Sequence, residues 1–262
     1  MDLFYREAVP ANESAHIALN FWEFAAGGEP NSPISHEVFP DGCISLVYHQ
    51  NTRLKITQNS VVGLSLVSLP KTIFADDKFW AMRVSPAAAK EFFGINPGLI
   101  QTQPISLLNK KPKNLEKTFS LINLCQDFTQ AIEKFENWLK EDFPTLKIDR
   151  RMLKTVSVVT ETFGQKQISG IAAEIGLSVR QLQRNFLSAS GLTPKQFARV
   201  CRVRATAINL TKNLRMNWAN RAAEIGFADQ SHLAHELQNV TGRKPSDFGR
   251  IIKGIKHGEL AG

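Results

Sequence analysis

Cysteine is scarce in this chain, and its thiols lie far apart. Cys43, Cys125 and Cys201 form no CxxC pair and no zinc-ligand spacing, which argues against a disulfide framework and against a Cys/His metal finger. Dispersed thiols in odd number fit a reducing, cytoplasmic setting. Long apolar runs are missing too. No stretch reaches the ~18–20 residues that a membrane span needs, so no membrane partner is expected. The opening MDLFYREAVP has no basic stretch followed by an apolar core and does not read as a secretory signal. Neither a GxSxG elbow, a Walker loop nor a Rossmann fingerprint occurs. His16, His36 and His49 stand in neither HxH nor HExxH spacing. No catalytic residue, metal or cofactor is therefore expected, and Cys43 and Cys201 read as buried structural thiols.

What is present is positive charge, unevenly spread. The net charge is +8. Residues 1–149 carry 14 Lys+Arg against 17 Asp+Glu, a net −3, and residues 150–262 carry 18 against 7, a net +11. A basic half beside a mildly acidic half suggests a polyanion-binding domain joined to something else. Charge alone does not separate DNA, RNA and acidic lipid.

The pattern changes along the chain in the same sense. CISLVYH (43–49) alternates, with Ile44, Leu46 and Tyr48 on one face, after a turn signal at Pro40-Asp41-Gly42. SVVGLSLVSL (60–69), TIFA (72–75) and FWAMRV (79–84) read as further strands. Ser85-Pro86 predicts the start of a short helix that Gly94 stops. NKKPKN (109–114) reads as a polar linker. Beyond it Phe128, Ile132, Phe135 and Leu139 fall at i, i+4, i+7 and i+11, a helical stripe better suited to a core than to a dimer seam. Pro144 ends that helix, 151–162 supplies another, and the rest reads as helical almost to the end.

The C-terminal half contains a repeat. AAEIG occurs at 172–176 and again at 222–226, an offset of 50. Past the turn the offset is 51, and Leu182 matches Leu233, Phe186 Leu237, Gly191 Gly242, Pro194 Pro245 and Phe197 Phe248. In each copy a helix ends at glycine, a tight turn follows, and a second helix is capped by Ser178 or Asp229. Gln181 completes a capping box with Ser178, as Gln196 does with Thr193. The repeat therefore predicts two helix-turn-helix units. On a helical wheel Val179, Leu182, Phe186 and Ala189 share one side of the first unit's second helix. Arg180, Gln181, Arg184 and Ser188 cover the other, with no acid between Val179 and Gly191. Such a face suits the DNA major groove, where Arg pairs with guanine and Gln with adenine.

AEIGLSVRQLQRNF with GLTPKQF, then AEIGFADQSHL with GRKPSDF, resembles the AraC/XylS family of bacterial transcription regulators across about 150–250. The resemblance implies a monomer that places recognition helices 179–190 and 230–240 in successive major grooves. By position it assigns base reading to Arg180, Gln183 and Arg184 in the first unit and to Ser231, His232 and His235 in the second. Ser178, Gln181 and Gln230 are candidates for cap or phosphate contacts. Second units of the family often carry Arg and Lys where His235, Gln238 and Asn239 stand here. PDG (40–42) and RVSPAAAKEFFGI (83–95) are similar to a module that precedes this domain in some family members. Family N-terminal domains sense small molecules, dimerise, or both, and Trp22, Phe24 and Trp80 are candidates for an effector pocket. The expectation is thus an α+β chain: a β-rich sensing or assembly domain (1–108), a helical connector (109–147) and an all-α reader (148–262). Double-stranded DNA is the expected partner, with a small-molecule effector, RNA polymerase and a second copy of the chain as further candidates. The competing reading is an N-terminal enzyme domain localised to DNA by the C-terminal one.

Overall fold

The computed structural model describes residues 2–28, 33–100, 103–108 and 110–258. The N-terminal part is built on strands β1 (Asp2–Ala8), β2 (Ala18–Gly27), β3 (Ile34–Val38), β4 (Ile44–Asn51), β5 (Ile56–Val62), β6 (Leu69–Ile73), β7 (Asp77–Val84) and β8 (Gln103–Pro104). Helices α1 (Ala89–Phe93), α2 (Leu115–Ile122) and α3 (Phe128–Asp142) complete it. The C-terminal part comprises α4 (Arg150–Glu161), α5 (Ile168–Glu174), α6 (Val179–Ser190), α7 (Pro194–Lys212), α8 (Trp218–Ile225), α9 (Gln230–Thr241) and α10 (Pro245–Lys253). A last strand, β9 (Ile255–His257), follows.

The main sheet runs β8-β5-β4-β7-β2-β1-β9, and β3 pairs with β6 separately. Its ladders are antiparallel except β1–β9, which is parallel. The alternation of β4 decides which side each residue faces. Ile44, Leu46 and Tyr48 turn with Phe21, Trp80 and Met82 toward α1, α2 and α3. There Phe21 stacks on Phe135 at 5.8 Å, and Trp80 donates its indole N–H to Glu23 at 2.8 Å. Burial of each such large apolar side chain contributes ~1.5–3 kcal/mol. The opposite face, with Phe24, Val47, Phe79 and Ala81, is covered by Ile73 of the β3–β6 pair.

Several expectations need correction. The 60–69 segment is not one strand. It leaves the sheet after Val62, and Ser65 bonds locally to Val67. The short helix begins at Ala89 without a side-chain cap, because Ser85 is buried and its N–H bonds Ile17 at 2.7 Å. The connector's helical stripe does lie in a core, as its spacing predicts: Phe128, Phe135 and Leu139 are buried with Leu115 and Phe119 against the N-terminal sheet. The 109–114 linker begins at Asn109, which lies outside the described residues. After α10, β9 returns from the C-terminal part to the sheet edge at β1.

The two helix-turn-helix units have separate cores. The first gathers Met152, Val156, Ile171, Leu182, Phe186 and Phe197, with Ala87 contributed from beyond β7. The second gathers Leu210, Ile225, Phe227, Leu233, Leu237 and Phe248, with Phe39 packed against it. A buried ionic cluster joins the two halves. Arg83 on β7 pairs with Asp41 and with Glu7 (2.8 Å), and Glu7 pairs with Arg204 on α7. Burial pushes the Glu7 carboxyl up, but Arg83, Arg204 and the bonds it accepts outweigh this and hold it down at about 2.

Candidate nucleic-acid interface

The sequence builds α6 and α9 locally. Ser178 accepts from the Gln181 N–H at 3.2 Å, while Gln181 Oε1 accepts from the Ser178 N–H at 2.9 Å. This reciprocal cap starts α6, and Thr193 with Gln196 starts α7 in the same way. Asp229 caps α9 by accepting from the His232 N–H at 2.7 Å. Gly191 and Gly242 close α6 and α9 in the left-handed region, at φ 78° and 71°.

Leu182 and Phe186 of α6 are fully buried. Arg180, Gln181, Gln183, Arg184 and Ser188 are exposed. Among the described residues neither Arg180 nor Arg184 has an ion-pair partner. Their guanidiniums are thus available to an external anion or base edge. Val179 does not join the core as the wheel suggested. It is 38% exposed, because the first helical residue sits at the mouth of the turn. Gln181 has its carbonyl oxygen engaged in the cap, which leaves only its amide N–H groups for DNA. Ser188 is reached by Lys90 of α1, 3.3 Å from its hydroxyl.

In α9, Gln230, Ser231, His235, Gln238 and Asn239 are exposed, while Leu233 and Leu237 are buried. His232 is committed to the turn. Its ring stands edge-on to Phe227 at 5.4 Å, and Nδ1 accepts from the Ala228 N–H at 3.3 Å. That acceptance leaves Nε2 as the only ring nitrogen free to donate outward. The structure thus groups Ser231 and His235 on an open face and places His232 at its root.

Part of the basic excess is engaged within the chain, which residue counting had no means to show. Arg199 pairs with Glu236 at 2.8 Å, Arg202 donates to the Gly164 carbonyl at 2.7 Å, and Arg204 pairs with Glu7. Arg243 pairs with Glu37 of β3. Arg221 is buried and donates to the carbonyls of Asn213 (2.8 Å) and Met216 (3.1 Å) and to Asn209. The repeat offered one signal for it: Arg221 stands where the first unit has the core residue Ile171.

The three aromatics considered for an effector pocket do not converge. Trp22 and Phe24 face the β3–β6 pair, and Trp80 faces the helices on the other side of the sheet. Alternation along paired strands forbids a common pocket. Of the histidines, His49 bonds Asp77 at 2.9 Å and stacks on Phe79 at 4.2 Å. His36 packs on Phe24 at 4.9 Å, and His16 is half-open. Burial raises the Cys43 thiol well above its ordinary range and pushes Cys201 up to about 12, so both stay protonated.

A family model described as "Helix-turn-helix domain" matches residues 171–251, which span both turns, α6, α7, α9 and most of α10. The C-terminal part thus carries a helix-turn-helix domain. A second model, a domain of unknown function (DUF6597), matches residues 6–106. Among curated proteins none matches the chain. Solved structures similar to it include ToxT from Vibrio cholerae, at 10% identity over 85% of this chain and 99% of that one, with a TM-score of 0.45. A transcriptional regulator with an AraC-type DNA-binding domain from Chromobacterium violaceum shares 19% identity over 39% of this chain and 92% of its own, with a TM-score of 0.36. A probable AraC family regulator from Rhodopseudomonas palustris shares 20% identity over 39% of this chain and 96% of its own, with a TM-score of 0.35. The chain is of α+β architecture, β-rich in its N-terminal part and helical in its C-terminal part, where the helix-turn-helix domain lies. Among the described residues no helix is long and apolar enough to cross a membrane.

Proposed function

We propose that α6 and α9 enter successive major grooves, and that the reader comprises residues 148–262. Arg180, Gln183 and Arg184 read bases in the first groove. Ser231 and His235 do so in the second, with His232 adding its outward Nε2. Ser178, Gln181 and Gln230, at the helix starts, contact phosphate. The carrying observation is the pair of exposed guanidiniums of Arg180 and Arg184, without an ion-pair partner among the described residues, on a capped helix whose other face is buried. The connecting helix α7 has 19 residues and spans ~28 Å, compatible with recognition helices about one DNA turn (~34 Å) apart. The N-terminal part contacts both units, so a small-molecule effector or self-association there has a physical route to the reader. A ligand that binds only the native chain raises its melting temperature, and screening metabolites by thermal melting tests the effector reading.

Site selection from random DNA, followed by Arg184→Ala on the selected site, tests the reading of bases. The substitution is expected to cost ~1–3 kcal/mol and to relax preference at one or two base pairs. A uniform loss on selected and random DNA alike would mean that Arg184 touches only phosphate. The two reading faces differ in chemistry, so the selected site is expected to be asymmetric and to be bound by one copy of the chain. An inverted repeat, bound only by two copies, contradicts this.

A further inference from the structure

The turn between β3 and β4, Phe39-Pro40-Asp41-Gly42, touches both helix-turn-helix units at equivalent places. Phe197 and Phe248 are matched positions of the repeat, each three residues after the proline that opens α7 or α10. The Phe39 ring lies 4.9 Å from the ring of Phe248. Gly42 lies against Phe197: a Cβ on Gly42 would stand 2.8 Å from the Phe197 ring and 3.7 Å from Leu192. Gly42 also has φ +71°, where an L side chain is strained. One short turn thus fills the space between two separate cores.

The turn is not free to follow the units. The Asp41 carboxylate accepts from the Cys43 N–H at 3.0 Å and pairs with Arg83. Arg83 in turn bonds Glu7 at 2.8 Å and Asn20 at 3.1 Å, so the turn is braced against three strands of the sheet. Two further contacts repeat the same symmetry. A Cβ on Gly191, after α6, would lie 2.6 Å from the Gly98 nitrogen, and Ser68 donates to the Thr241 carbonyl at the end of α9 at 2.9 Å.

The units also meet directly. Arg202 donates to the Gly164 carbonyl and lies over the Phe227 ring at 5.5 Å, and Arg199 pairs with Glu236. At ~100° per residue, Arg199 and Arg202 point from α7 nearly opposite to Phe197 and Arg204. The units are therefore gripped on two sides of α7: by arginine contacts on one and by the turn on the other. Removal of the turn's bulk weakens the second grip and frees the units to pivot about the first.

We infer that Phe39 and Gly42 are positioning residues that set the separation and mutual orientation of the two recognition helices, and with them the spacing between the two half-sites on DNA. This rests on the proposed reading of DNA by both units. One base pair of added spacing moves a half-site by ~3.4 Å and rotates it by about 35°, so a braced reader discriminates it sharply.

The test uses the full chain and the selected site with one or two base pairs inserted or deleted between its halves. The wild type is expected to prefer one spacing by about tenfold or more. Phe39→Ala is expected to flatten the series to within about threefold, with base preferences inside each half unchanged, and Phe39→Leu to restore much of the selectivity. Gly42→Ala, which pushes Phe197, is expected to shift the preferred spacing, and thermal melting reports whether it stays folded. A Phe39→Ala protein that loses affinity equally at every spacing, or keeps the wild-type profile, overturns the inference. A wild type indifferent to spacing overturns the two-unit reading and the inference with it.

Discussion

Replacement of Glu7 by alanine is expected to destabilise the folded chain by about 3–5 kcal/mol. The carboxylate sits between Arg83 and Arg204, and its side chain is only 11% exposed. Its removal leaves two guanidiniums facing each other in a buried place, which raises the energy of both. It also removes the acceptor for the Tyr5 hydroxyl and for the Asn20 amide, the latter at 3.0 Å. Urea unfolding followed by tryptophan fluorescence measures the loss, and a value under about 1 kcal/mol would show that water or rearranged partners replace the carboxylate. A second substitution gives a sharper check. Arg204→Ala in the Glu7→Ala background is expected to recover part of the stability, since it removes the guanidinium that the loss of Glu7 leaves unpaired, while Arg83 keeps Asp41. The pH dependence follows from the depressed carboxyl. The folded value of about 2 lies below the ordinary 4.5, so the folded state binds fewer protons than the unfolded one in this range. The contribution of Glu7 is complete above about 4.5 and is lost as pH falls through that value toward about 2. Wild-type stability should fall across this window more steeply than that of Glu7→Ala, and equal slopes would contradict the assignment.

The second large effect is expected at Arg221. Its guanidinium is a structural plug that ties α8 to the end of α7 and to the 213–217 loop. It donates to the side chain of Asn209 and to the carbonyls of Asn213 and Met216, and lies under the Trp218 ring at 5.5 Å. Arg221→Ala leaves those acceptors unpaired and opens a void, at a cost of about 3 kcal/mol or more. Arg221→Lys is expected to rescue little, because a single ammonium cannot serve acceptors spread around a planar fork. The cores of the two units are separate, so the damage should stay local. Protease cleavage between 212 and 230 is expected to accelerate, and the DNA footprint to shrink to the half read by α6. A footprint that stays complete, with cleavage unchanged, would show that the second unit does not depend on this residue.

The C-terminal part was largely legible in the linear order of residues because its determinants are local. A capping box spans four positions, a glycine stop is a single residue, and a helical stripe repeats every three or four. The two AAEIG copies, Ser178 with Gln181, Thr193 with Gln196, and the buried pair Leu182 and Phe186 all stand where the periodicity placed them. The alternation of Ile44, Leu46 and Tyr48 likewise sorted the faces of β4. What failed were inferences that need partners distant in sequence. Val179 followed the wheel but not the packing. Trp80 was grouped with Trp22 although strand pairing puts them on opposite faces. Positive charge was counted toward DNA although Arg204 and Arg243 are ion-paired within the chain and Arg221 is buried.

By itself, then, the sequence determined the two units, their caps and stops, the face of α6 that carries Arg180 and Arg184, and the strand-rich character of the first hundred residues. The tertiary structure alone decided how those parts join. It brings β9 to the edge of β1 across about 250 residues, seats Glu7 between Arg83 and Arg204, and sets the 39–42 turn between Phe197 and Phe248. The physical reason is range. Helix capping and periodicity act within a few residues, where the backbone itself enforces proximity. Ion pairing and core filling act between groups whose nearness exists only once the whole chain has folded.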